Sequence, residues 1–67
     1  MEFRIQYFGE HDRVLYIDEV NVDTLDIALD RARAIVNEAD PSFTDPAIVG
    51  YVILDIRGRL VARGYKR

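Results

Sequence analysis

Few side chains in this sequence are of types that do chemistry, and their spacing decides whether they can act together. The single histidine, His11, sits in the run Glu10-His11-Asp12. An imidazole flanked by carboxylates has the composition of a metal ligand set or of a general base. Adjacent residues at a strand end do not converge on one point, however, and no cysteine or second histidine completes a coordination sphere. The run therefore reads as a solvated turn. Ser42 would need a base and an orienting group to act as a nucleophile, and His11 is the one base on offer. Carboxylate pairs such as Asp18 with Glu19, or Asp12 with Asp55, have the makings of acid–base work, but a 67-residue chain has little room for a water-excluding cleft beside a core. These carboxylates are expected to be solvated or paired with the arginines of the last strand. No glycine-rich phosphate-cradling motif occurs. The reading is of a protein without catalytic residues, cofactor or metal site, and so not an enzyme.

The C-terminal run from Arg57 to Arg67 interleaves cations with an aromatic ring, the composition that grips phosphates and stacks a base. Its candidate nucleic-acid contacts are Arg59, Arg63, Tyr65, Lys66 and Arg67. Two facts weigh against that use. The whole chain is acidic, with a net charge of −3, where a nucleic-acid-binding domain is normally basic. Edge strands also carry cations simply to discourage edge-to-edge pairing. The charge is unevenly spread: residues 1–50 carry four basic and eleven acidic side chains, and residues 51–67 carry five basic and one acidic. Two such segments can complement each other in a folded chain.

The elements that must position these residues follow from periodicity. Residues 2–8 alternate apolar and polar, with Phe3, Ile5 and Tyr7 on one side, which predicts a half-buried strand. Residues 9–12 predict a turn and residues 13–20 a second strand rich in β-branched and aromatic types. From Asp23, read as the helix N-cap, the positions Leu25, Ala28, Leu29, Ala32, Ile35, Val36 and Ala39 follow helical spacing. Asp40-Pro41 is expected to end that helix. A loop over residues 41–50 is anchored by Phe43, Ile48 and Val49. The run at residues 51–56 predicts a strand apolar on both faces. Arg57-Gly58 predicts a two-residue hairpin turn, and Arg59 to Tyr65 a fourth strand with a bulge at Gly64.

The order strand, strand, helix, strand, strand predicts one α+β domain over residues 1–67, a ββαββ arrangement with a four-stranded antiparallel sheet in order 2-1-3-4. One helix covers one face of such a sheet. With Phe3, Ile5, Tyr7, Val52, Leu54 and Ile56 assigned to the helix side, the uncovered side receives Phe8, Tyr16, Tyr51 and Ile53 as its interaction face. Val14 with Tyr16, or Leu15 with Ile17, joins from the second strand. An apolar uncovered face normally makes contacts, and a chain this small without disulfides or metal gains stability by associating. The expected role is a small interaction module, a homodimer or the partner of another protein, acting through the uncovered face or an edge strand. Nucleic-acid binding through the basic C-terminus is the alternative. With no basic-then-apolar leader at Met1 and no apolar run approaching the roughly 20 residues that span a bilayer, the expected location is the cytoplasm, away from membranes.

Overall fold

The computed structural model describes residues 1–37 and 47–66. Within them, four strands and one helix follow in the order β1 (Glu2–Phe8), β2 (Val14–Asn21), α1 (Leu25–Asn37), β3 (Gly50–Leu54) and β4 (Leu60–Tyr65), with a short 3-10 turn over Glu10–Asp12. The sheet order is β2-β1-β3-β4 and every neighbouring pair is antiparallel. This is the ββαββ arrangement that the alternation of patterns predicts. Placing β3 beside β1 puts the two most buried strands in the centre, where both main-chain edges are paired.

The register of β1 against β3 settles which residues form the core. Ile5 pairs with Ile53 and Tyr7 with Tyr51, and directly opposed residues in an antiparallel pair point to the same face. Phe3, Ile5, Tyr7, Tyr51 and Ile53 are all buried, together with Ala28, Ala32 and Val36 of α1 and Ile48 of the segment before β3. Ala28 and Ala32 have no exposed surface; their small size lets the α1 backbone approach the sheet closely. Fully burying one large aliphatic side chain such as Ile5 or Ile53 contributes about 1.5–3 kcal/mol. No helix among the described residues is long and apolar enough to cross a membrane.

This register corrects the expected phase of β3. Tyr51 and Ile53 belong to the helix-covered core, at 3% and 0% exposure, and not to the uncovered face. Val52 and Leu54 take the uncovered side, opposite Gln6 and Arg4. Ile56 lies beyond the strand and is 78% exposed. The run Tyr51-Val52-Ile53-Leu54 is apolar at every position, so its own alternation carries no information about phase; the partner strand supplies it.

The second strand contains a register shift. Tyr7 pairs with Tyr16 but Phe8 pairs with Val14, leaving Leu15 as an inserted residue. A bulge of this kind breaks alternation. Val14 and Ile17 therefore both belong to the uncovered side, and Leu15 packs against the core. Tyr16 sits on the helix side with its ring 6.0 Å from that of Tyr7, which corrects its expected place on the uncovered face.

Three local expectations also change. Thr24, rather than Asp23, caps α1: its Oγ1 accepts from the Ile27 amide at 3.3 Å. The β3–β4 loop is longer than a two-residue turn. The Asp55 amide donates to the Arg59 carbonyl and the Gly58 amide to the Asp55 carbonyl, enclosing Ile56, Arg57 and Gly58. Gly58 has φ +79, a left-handed conformation that glycine adopts without steric cost. Finally, β4 runs straight through Gly64, and its irregularity falls near Leu60, at the Ile53/Leu54 register shift. A Cβ on Gly64 would come within 2.5 Å of the Tyr51 hydroxyl oxygen, so glycine is there to let the Tyr51 ring cross the edge strand. The expected anchors Ile48 and Val49 are buried and half-buried. Ala39, Asp40, Pro41, Ser42, Phe43 and Arg67 lie outside the described residues.

Candidate interaction surface

The uncovered face is organised as three rows across the strands. Val14, Phe8, Gly50 and Tyr65 form the first; Ile17, Gln6, Val52 and Arg63 the second; Glu19, Arg4, Leu54 and Leu60 the third. The first row has no charged side chain. Phe8 does belong to this face, as expected, but it is itself only 8% exposed. Its ring lies over Gly50 and meets Tyr65 edge-on at 5.8 Å, a favourable aromatic geometry. The large apolar side chains of this face that reach solvent are those at the margins: Val14 at 48%, Ile17 at 49%, Leu60 at 54% and Tyr65 at 60%. In the third row Arg4 pairs with Glu19 at 3.0 Å, both well exposed.

The margins are the two edge strands, and they differ in charge. Beside β2 stand the carboxylates Glu10, Asp12, Glu19 and Asp23 and one cation, Arg13, all exposed. On or next to β4 stand Arg57, Arg59, Arg63 and Lys66, also exposed. The order β2-β1-β3-β4 puts these segments at opposite edges. Of the expected pairings with arginines of the last strand, that of Asp55 with Arg59 forms, while Asp18 and Glu19 take other partners. Asp18 bonds Arg31 of α1 at 2.7 Å, Glu19 bonds Arg4, and Asp55 bonds Arg59 at 3.2 Å within its own hairpin. Among the described residues no ion pair joins the acidic edge to the basic one.

Asp55 is the most heavily used carboxylate. One oxygen accepts from the amides of Arg57 and Arg59, each at 2.9 Å, and the other from the Arg59 guanidinium. The backbone donation from Arg59, followed by that from Arg57 and the Arg59 charge, holds its carboxyl below the ordinary carboxylate range. Asp55 is thus a loop clamp rather than half of an acid–base pair with Asp12. On the helix side, burial and then the Asp18 charge push the Tyr7 phenol well above the usual tyrosine value. The Tyr7 hydroxyl is buried and has no hydrogen-bond partner among the described residues. Its neighbour Arg31 is raised, first by its hydrogen bond to Asp18 and then by the charge of that carboxylate.

The remaining chemistry-bearing residues stay apart. His11 is exposed in the 3-10 turn, in a left-handed conformation with φ 62, and Asp12 follows with φ 59. Of the candidate nucleic-acid contacts, Arg63 and Tyr65 share the uncovered face, Lys66 is exposed just beyond β4, and Arg59 is held by Asp55. The sequence reading did not find the open-face positions Val52 and Leu60, and offered Ile17 only together with Leu15. The bulge and the uniformly apolar β3 run hid the phase that exposes them. Comparison with protein-family models, with curated proteins and with solved structures gives no match.

Proposed function

We propose that this chain is a non-enzymatic interaction module whose partner is a second copy of itself, met through the sheet surfaces that α1 leaves open. One observation carries the reading: of the large apolar side chains exposed among the described residues, Val14, Ile17, Leu60 and Tyr65 share the uncovered side, whereas Met1, Tyr16, Ile27, Ile56 and Val61 lie elsewhere. Scattered apolar residues are normal on any surface. Here those four share one sheet side with the Phe8 ring and lie on β2 and β4, the edge strands of the sheet among the described residues. The small core adds a thermodynamic motive, since chains of this size commonly gain stability from association.

The test is the mass of the purified protein in solution, by light scattering or sedimentation equilibrium over a wide concentration range. The expected result is a weight-average mass that rises above the 7.7 kDa of one chain. A mass that stays at one chain throughout would overturn the reading.

A further inference from the structure

The hydrogen-bond pattern shows which main-chain groups at the sheet edges face outward. On β2, the Val22 amide donates to Met1, so Val22 and, by alternation, Val20 and Asp18 face β1. Ile17, Glu19 and Asn21 then present their N–H and C=O groups to the outside. On β4, the Lys66 amide donates to Val49, so Lys66, Gly64 and Ala62 face β3, while Arg63 and Tyr65 present theirs outward. These outward residues also carry their side chains on the uncovered face, through their registers with Val52, Gly50, Gln6 and Arg4.

The strand directions allow the two edges to meet. β2 and β3 both run opposite to β1, and β4 runs opposite to β3. Hence β4 is antiparallel to β2. A second copy set beyond β4 with its own β2 leading needs no inversion: the sheet continues antiparallel and both helices stay on one side.

We infer that copies of this chain join head to tail, β4 of one pairing with β2 of the next, with Arg63 opposite Glu19 and Tyr65 opposite Ile17. The inference rests on the self-association reading above and names the surface and the register. In this register each of the two opposed pairs exchanges main-chain hydrogen bonds. On the uncovered face a guanidinium meets a carboxylate that remains 71% exposed in the free chain. A half-exposed tyrosine meets a half-exposed isoleucine, an aromatic–β-branched combination that stabilises antiparallel strands.

The same charges disfavour the two-fold alternatives. Two β4 edges paired about Arg63 would set Arg63 against Arg63, and two β2 edges paired about Glu19 would set Glu19 against Glu19; like charges directly opposed are destabilising. Cations along an edge ordinarily prevent strand pairing. With cations on one edge and carboxylates on the other, each edge repels its own kind and attracts the opposite one.

Crosslinking tests the register in a chain that contains no cysteine of its own. The double variant Ile17→Cys with Tyr65→Cys should, on mild oxidation, give a ladder of dimers, trimers and longer covalent products. Each single variant should give little product, because its cysteine would meet an isoleucine or a tyrosine. Arg63→Glu and Glu19→Arg should each weaken association by roughly tenfold, and an equimolar mixture of the two should regain it. Far-ultraviolet circular dichroism verifies that each variant is folded. Rapid dimer formation by Tyr65→Cys alone would establish a two-fold β4 contact and overturn the inference while leaving self-association standing. So would association indifferent to both charge reversals and abolished by Val52→Asp, which points to the sheet face. A wild-type chain that never associates overturns both readings.

Discussion

Tyr7 shows what a single side chain costs and contributes here. Its ring is fully buried among Ile5, Ile53 and α1, yet its hydroxyl has no hydrogen-bond partner among the described residues. An unsatisfied buried hydroxyl forfeits its hydration without return, a penalty on the order of 1–3 kcal/mol. Tyr7→Phe should therefore leave stability unchanged or raise it by about 1 kcal/mol, measured by urea unfolding at neutral pH. A loss well beyond that would show that the hydroxyl has a partner. The same substitution should alter the alkaline limb. Tyrosine in an unfolded chain ionises near pH 10, while folded Tyr7 keeps its proton to higher pH, chiefly because burial strips its phenolate of water. The folded state thus holds a proton that the unfolded state releases. That contribution is complete below about pH 10 and is lost as pH rises from there toward the folded value. Wild-type stability should fall more steeply above pH 10 than that of Tyr7→Phe, which lacks the group.

At the scale of elements, the helix, the hairpins and the strand order were legible because each rests on a local pattern: helical spacing from Leu25 to Val36, alternation from Phe3 to Tyr7, and a glycine at the β3–β4 loop. What was not legible was phase. Alternation in β3 is silent because Tyr51, Val52, Ile53 and Leu54 are all apolar, and alternation in β2 is interrupted by Leu15. Both are resolved only by pairing with β1, a non-local fact. The candidate interaction face inherited that error, placing Tyr51 and Ile53 outside when they line the core. The cap was displaced by one residue for a similar reason: Asp23 and Thr24 are both good caps, and the start of α1 at Leu25 selects Thr24. Phase has a direct test. Ile53→Asp buries a carboxylate beneath α1, which exceeds the few kcal/mol that hold a domain of this size, and should abolish the cooperative thermal transition in circular dichroism. Val52→Asp, one residue away on the open side, should retain it. The reverse result would return β3 to the phase expected from its sequence.

For the whole molecule, the relevant property is a sheet with unlike edges. Strand twist of roughly 20–25° per strand turns a four-stranded copy on the order of 90° relative to the next. Head-to-tail pairing would therefore wind rather than stack flat, and a heterologous contact that does not close forms an open helix. Because the opposed charges are exposed, the association should weaken as salt shortens the Debye length from about 10 Å at 0.1 M to about 3 Å at 1 M. Sedimentation at the two salt concentrations checks this. Association that strengthens with salt would assign it to the apolar face instead.

The four tyrosines and the absence of tryptophan give this arrangement an optical consequence. Three phenol rings, those of Tyr7, Tyr16 and Tyr51, sit in one row on the helix side. Tyr65 alone looks out from the open side, at the edge that would carry the next copy. Tyr7 and Tyr51 are buried, whereas Tyr16 and Tyr65 are exposed, so tyrosine emission divides into an internal background and two peripheral chromophores, one on each edge strand. A change in quenching by a small polar quencher on raising protein concentration would report on the environment of those two edge rings, without any label having been attached.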